Sequence, residues 1–146
     1  MVRAERPGLS EGETRDGGCL CGAVRYRVHG APRSVVHCHC GMCRRASGAP
    51  VVTWATYPAV NFEYVAGAPA RIRSSDHAER AFCGRCGSPL SFRDDNHIDW
   101  IDVTVATLDD PAALAPTRHV WTESRLPWFD TDDHLPRLPR GSGDNE

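Results

Sequence analysis

The sequence predicts a mainly β domain of short antiparallel strands, and three observations carry that expectation. Apolar and polar residues alternate with a period of two through most of the chain, which is the pattern of half-buried strands. The alternating runs are short and are separated by turn formers, with 13 glycines and 11 prolines among 146 residues. Only two places read as helical, and both are brief. Many short strands joined by such turns indicate a sandwich or a barrel-like fold.

Taken in order, residues 19–28 place Leu20, Val24, Tyr26 and Val28 on one face and Cys19, Cys21, Arg25 and Arg27 on the other. Residues 35–40 alternate similarly, with Cys38 and Cys40 on one side and His37 and His39 opposite, where a surface or supporting role is expected of the histidines. Further strands are expected at residues 50–56, 61–65, 70–74, 90–93, 98–105 and 118–123. One helical turn is expected after Cys40. A second starts at Asp110, a favoured N-cap, with Pro111 at the first helical position. His119 and Trp121 share a face of the last strand, where half-buried packing is the ordinary expectation.

The length suits one domain with one modest core. Residues 1–16 and 137–146 are charged and rich in small and polar residues, with too little apolar surface to offset ordering entropy, so both are expected to be disordered tails around a folded unit at 17–136. The formal net charge is −2, which gives no electrostatic footprint for nucleic acid. All 17 basic residues are arginine. The absence of lysine removes a Schiff-base lysine, a pyridoxal-phosphate site and a P-loop from consideration. No apolar run approaches the ~20 residues of a membrane span, and the N-terminus has no signal-like stretch, so a cytoplasmic protein without a membrane partner is expected.

The seven cysteines fall in three clusters: Cys19-Leu-Cys21, Cys38-His-Cys40-Gly-Met-Cys43 and Cys83-Gly-Arg-Cys86-Gly. An odd number in a reducing compartment disfavours a disulfide framework and points to metal. The Cys83/Cys86 turn has the form of a zinc knuckle, because two intervening residues let both thiolates reach one ion. Two clusters of two would make a four-thiolate site and leave the triplet as a three-thiolate site, although spacing alone leaves that pairing open. Three protein ligands with a vacant fourth position is the arrangement of catalytic zinc, and a soft thiolate set suits a soft incoming thiol. Arg44 and Arg45 follow the triplet and could balance its charge or hold a carboxylate. His39 closing a Cys3His site is the competing arrangement, and it would make the triplet structural.

These residues resemble the glutathione-dependent formaldehyde-activating enzyme family, also described as centromere-protein-V-like domains. The resemblance lies in Gly18-Cys19-Leu-Cys21-Gly22-Ala23-Val24, His37-Cys38-His39-Cys40-Gly-Met-Cys43-Arg44, Phe82-Cys83-Gly-Arg-Cys86-Gly87-Ser88, His119-Val-Trp121 and a closing segment from Arg125 to Pro136. It implies a Mss4-like fold of short antiparallel sheets organised around zinc, with two zinc ions per chain. Cys19, Cys21, Cys83 and Cys86 would hold a structural ion, and Cys38, Cys40 and Cys43 a catalytic one. The implied activity is that of a carbon–sulfur lyase acting on a thiol adduct such as S-hydroxymethylglutathione, with glutathione as the partner. A non-catalytic zinc module that binds another protein is the alternative, and a redox sensor that loses zinc on oxidation is a third.

Overall fold

The computed structural model describes residues 13–141. Ten strands and one α-helix follow one another as β1 (Thr14–Gly18), β2 (Arg25–His29), β3 (Ser34–Cys38), α1 (Gly41–Ser47), β4 (Val52–Pro58), β5 (Phe62–Ala66), β6 (Ala70–Ser75), β7 (Ala78–Phe82), β8 (Pro89–Asp94), β9 (Trp100–Thr104) and β10 (Arg118–Val120). They form a three-stranded sheet in the order β1-β2-β5 and a seven-stranded sheet in the order β10-β3-β4-β9-β8-β7-β6. The mainly β fold expected from the alternation is the fold that forms. One pairing departs from an all-antiparallel plan: β10 runs parallel to β3, with His119 opposite His37 and Val120 opposite Cys38.

β4 lies inside the large sheet, and its sequence Val-Thr-Trp-Ala-Thr-Tyr-Pro is rich in the β-branched and aromatic residues that suit a pleated surface. Its alternation divides the interior in two. Ala55 and Tyr57 join Tyr26, Val28, Leu90, Ile101 and Val103 in the main core, together with Cys19 and Cys83. Trp54 joins Cys38, Cys43, Val52 and Val120 in a second cluster, against which Phe92, Cys40 and Trp121 pack. Each fully buried apolar side chain of this size contributes on the order of 1.5–3 kcal/mol. The cysteines thus sit at the margins of two separate cores.

Several expectations are corrected. Residues 19–24 form a turn rather than the start of a strand: Leu20 is 89% exposed while Cys19 is buried. β3 ends at Cys38, so Cys40 is not in the strand; it caps α1 instead. β10 stops at Val120, and Trp121 follows with φ +58°, a left-handed conformation that bulky residues rarely adopt. The turn after Asp110 is a short 3-10 helix with Pro111 at its start, and the Asp110 side chain makes no capping bond. β1 and β7 were not expected as strands.

The folded unit also extends past both expected boundaries. Residues 14–16 belong to β1, paired with β2, and Arg27 Nε donates to Asp16 Oδ1 at 2.7 Å. Gly17 is needed there, since a Cβ would lie 2.6 Å from the Tyr26 ring. Residues 137–140 run beside β10: His119 O accepts from Leu138 N–H, and Trp121 N–H donates to Arg140 O. Composition misled because the backbone of these segments satisfies its hydrogen bonds on sheet edges, a stabilisation that does not depend on apolar side chains. The remaining parts of the expected tails, residues 1–12 and 142–146, lie outside the described residues. No helix among the described residues is long and apolar enough to cross a membrane.

Candidate metal centres

The thiols of Cys19, Cys21, Cys83 and Cys86 come together with all four sulfurs within 4.8 Å of one another. Two turns bring them there. In the first, Gly22 takes φ +81° and its N–H donates to Cys19 O, while Val24 N–H donates to the Cys19 sulfur at 3.3 Å. In the second, Gly87 takes φ +84°, and the N–H groups of Arg85 and Cys86 donate to the Cys83 sulfur at 3.3 and 3.4 Å. Ser88 ties the turns together. Its hydroxyl accepts from Leu20 N–H at 2.9 Å and lies 3.2 Å from the Cys86 sulfur. That hydroxyl contact, with backbone bonds behind it, pushes the Cys86 thiol down to about 5.

The spacing fits a metal. Sulfurs 2.3 Å from a tetrahedral zinc stand ~3.8 Å apart. The Cys19–Cys21 and Cys21–Cys83 sulfurs are separated by 3.6 and 3.8 Å. All seven cysteines are free thiols.

The second group is Cys38, Cys40 and Cys43, again with sulfurs within 4.8 Å of one another. Cys38 comes from the end of β3, Cys40 is the N-cap of α1, and Cys43 lies in its first turn. The Cys40 sulfur accepts from Cys43 N–H at 3.2 Å, the role usually filled by a serine or aspartate oxygen. Hydrogen bonds from the Cys38 and Cys43 thiols push Cys40 down to about 2, and the Cys38 thiol, donating to Cys40, is driven up. Arg80 of β7 faces the triplet, with Nη2 3.7 Å from the Cys43 sulfur and its guanidinium 5.0 Å from the centre of the Phe92 ring.

Beside the triplet lies a buried histidine chain. The His119 and His39 side chains are fully enclosed. His119 Nε2 is 3.2 Å from both oxygens of Asp133 and 3.1 Å from the Thr131 hydroxyl. A carboxylate can only accept, so Nε2 carries the proton and donates. With neutral rings, His119 Nδ1 is then a lone pair, and it accepts from His39 Nε2–H at 2.9 Å. His39 Nδ1 is therefore a second lone pair, buried and without a partner among the described residues. Burial, reinforced by His119 and His37, pushes His39 down to about 4. His37 lies tilted against His119 with ring centres 4.9 Å apart and contacts the Thr53 hydroxyl through Nδ1.

Two placements differ from the sequence reading, while His39 keeps the supporting role expected of it. It does not close a Cys3His set, since the ligand atoms within 4.8 Å of one another end at the three sulfurs. It faces His119 instead. His119 is buried hydrogen-bonded machinery rather than half-buried packing. The cation against the triplet is Arg80 and not Arg44 or Arg45, whose side chains make no hydrogen bond or ion pair among the described residues. Arg80, Thr131 and Asp133 were missed. Arg80 lies on an unexpected strand, and Asp133 is 14 residues from His119 with no motif linking them.

Residues 14–124 match the profile of the family described as "Glutathione-dependent formaldehyde-activating enzyme". That span holds all seven cysteines and His119, and it stops before the closing segment that carries Thr131 and Asp133. A Halomonas elongata protein named "Putative glutathione-dependent formaldehyde-activating enzyme" is 26% identical over 132 residues, covering 80% of each chain. A Schizosaccharomyces pombe protein named an uncharacterized lyase is 32% identical over 79 residues, covering 53% of this chain and 56% of its own. The crystal structure of a Rhodobacter sphaeroides protein shares the fold, with a TM-score of 0.55 and 23% identity over 84% of this chain and 98% of that one. With a profile match over most of its length and both cysteine groups inside the match, the chain belongs to the glutathione-dependent formaldehyde-activating enzyme family.

Proposed function

We propose that the protein is a zinc-dependent enzyme of the carbon–sulfur lyase type, acting on a thiol adduct, with S-hydroxymethylglutathione formation or cleavage as the simplest reaction. The observation that carries this reading is the open triplet: three sulfurs gathered on one spot, with no fourth His, Cys, Asp or Glu ligand among the described residues. On this reading Cys19, Cys21, Cys83 and Cys86 hold a structural zinc, and Cys38, Cys40 and Cys43 hold a catalytic one. When bound at the triplet, zinc supplies a vacant position that takes a soft sulfur ligand and lowers its pKa.

The chain's own residues do the rest. Arg80 offsets negative charge at Cys43, and Trp54, Phe92 and Trp121 keep one side of the triplet apolar and dry. The histidine chain fixes His39, and with it the backbone between Cys38 and Cys40. In the reaction the substrate thiol gives up its proton and its sulfur bonds to the formaldehyde carbon. The carbonyl π pair moves to oxygen, which takes a proton; cleavage is the reverse. Free thiols throughout support a reducing, cytoplasmic setting.

The test is metal content by elemental analysis together with glutathione binding, on wild type and Cys40→Ser. About two zinc ions should fall to about one as glutathione binding disappears. A fully loaded wild type that neither binds glutathione nor changes the rate of adduct formation or breakdown sinks the enzyme and leaves the interaction module.

A further inference from the structure

Arg80 lays its guanidinium against the triplet. Its Nη2 is 3.7 Å from the Cys43 sulfur, and the group lies 5.0 Å from the centre of the Phe92 ring and 6.0 Å from that of Trp54. We propose that Arg80 is a catalytic residue: its free N–H donors hold the negative charge that gathers on the carbonyl oxygen when a thiol adds to an aldehyde. The proposal rests on the thiol-adduct reading above and gives the carbonyl half of the substrate a partner in this chain.

The side chain runs against the usual habit of its type. A long basic residue ordinarily rests its stem on apolar surface and carries its charge out to water. Arg80 brings its charge to a sulfur that is itself buried. In the register of β7 and β8 it stands opposite Phe92, whose ring the guanidinium covers. β7 is three places from β4 in the large sheet, yet the guanidinium reaches both Trp54 of β4 and the helix that carries Cys43. Contact with a cysteine of the triplet sets Arg80 apart from the other arginines that lack a carboxylate partner.

Its donors are mostly unspent. A guanidinium holds five N–H groups in a rigid plane and accepts nothing. The Cys43 sulfur takes one of them, and the others make no hydrogen bond among the described residues. Their nitrogens are not sealed in the interior, so a ligand can reach them. Offsetting a thiolate needs one contact. The aromatic rings on either hand fix the plane and keep the surroundings dry, which strengthens the remaining donors.

The reaction presents a charge for them to meet. The thiol's proton passes to water, the sulfur pair forms the S–C bond, and the π pair moves to oxygen. That oxygen then takes a proton from water, so neither protons nor electrons are gained or lost overall. Between those steps the oxygen is negative, and it is two bonds from a sulfur seated at the triplet, where the guanidinium already lies. A donor fixed in advance needs no reorganisation when the charge appears. In cleavage the same contact holds the alkoxide whose lone pair rebuilds the carbonyl as the C–S bond breaks toward sulfur.

The experiment uses the zinc-loaded full chain and follows exchange between free glutathione and S-hydroxymethylglutathione by magnetisation-transfer NMR, for wild type, Arg80→Met and Arg80→Lys. Zinc content, and calorimetric glutathione binding without formaldehyde, are read on the same samples. Arg80→Met should turn over about a hundredfold more slowly at saturating glutathione, with zinc content and glutathione affinity unchanged, the split of an interaction made only in the transition state. Arg80→Lys keeps the charge without the planar fork, so it should bind as wild type does and lose about tenfold in rate; it decides the matter alone where methionine unsettles the fold. A methionine variant at the wild-type rate overturns the role, and so does a lysine variant at that rate, because charge without the fork would then suffice. A loss of rate matched by an equal loss of zinc or of glutathione binding overturns it too, since Arg80 would then only balance the thiolates. Each of these leaves the thiol reading standing. A wild type that leaves exchange at its uncatalysed rate overturns that reading and the role of Arg80 with it.

Discussion

The two cysteine groups lie in one small fold but are held by different means. Around the four-cysteine group the main chain does the holding: N–H groups of Val24, Arg85 and Cys86 point at sulfur, and two glycines at positive φ make the turns possible. Around the triplet, side chains from distant segments converge: Arg80 from β7, Trp54 from β4, and His119 from β10 with Asp133 behind it. A centre fixed by its own turns organises the chain around it. A centre surrounded by remote side chains has its charge and dryness set from outside, which is what a reactive site requires.

The sharpest way to break that comparison is to remove one thiol from each group. Cys83 is 1% exposed and belongs to the main core. Cys83→Ser should abolish cooperative folding, because structural zinc contributes ~10–16 kcal/mol and a domain has only ~5–15 kcal/mol to lose. Cys40→Ser should keep the fold, since a serine oxygen can accept the same bond from Cys43 N–H at the start of α1. Thermal unfolding with zinc present checks both. A Cys40→Ser protein as unfolded as Cys83→Ser would make the triplet structural and erase the distinction.

Acid should act on the histidine chain next. His39 has a folded-state pKa of about 4 against 6.5 for the free side chain. A depressed value means that this contribution to stability is complete above pH 6.5 and is lost as the pH falls from 6.5 through about 4. The full change is on the order of 3 kcal/mol. His39→Gln keeps an N–H to give His119 but has no proton to take up. The gap in unfolding free energy between wild type and His39→Gln should therefore shrink across that range. A gap independent of pH would mean that His39 charges freely inside the fold.

Which parts of this arrangement were legible follows from sequence distance. The cysteine clusters are local, and so is the helical turn after Cys40, so spacing alone revealed them. Joining Cys19 and Cys21 to Cys83 and Cys86 needed the family resemblance, because a contact across 62 residues leaves no trace in periodicity. The His39–His119 bond spans 80 residues and depends on a parallel pairing of β10 with β3 that alternation cannot announce. Arg80 was hidden because Ala-Glu-Arg-Ala-Phe carries no β-branched residue, and β7 is a strand only through its two neighbours. The extra lengths of ordered chain at both ends were missed for the same reason: edge pairing, not composition, orders them.

The smallest expected effect tests how local the closed group is. Ser88 is its one side-chain latch, since the hydroxyl takes the Leu20 N–H of one turn and touches the Cys86 sulfur of the other. Ser88→Ala removes a single such link, worth about 1 kcal/mol and ~4 °C in Tm for a domain of this size. The backbone donors to Cys19 and Cys83 remain, so the four sulfurs should still gather and bind zinc. Release should nonetheless quicken, because one hydrogen-bonded link between the two turns is then lost. Made in the Cys40→Ser background, where one zinc is left, the change reads that centre alone. A several-fold faster transfer to a chelator with little loss of affinity is the expected result. An unchanged release rate would show that the N–H groups on sulfur suffice, and that the turns hold their metal without any help from side chains.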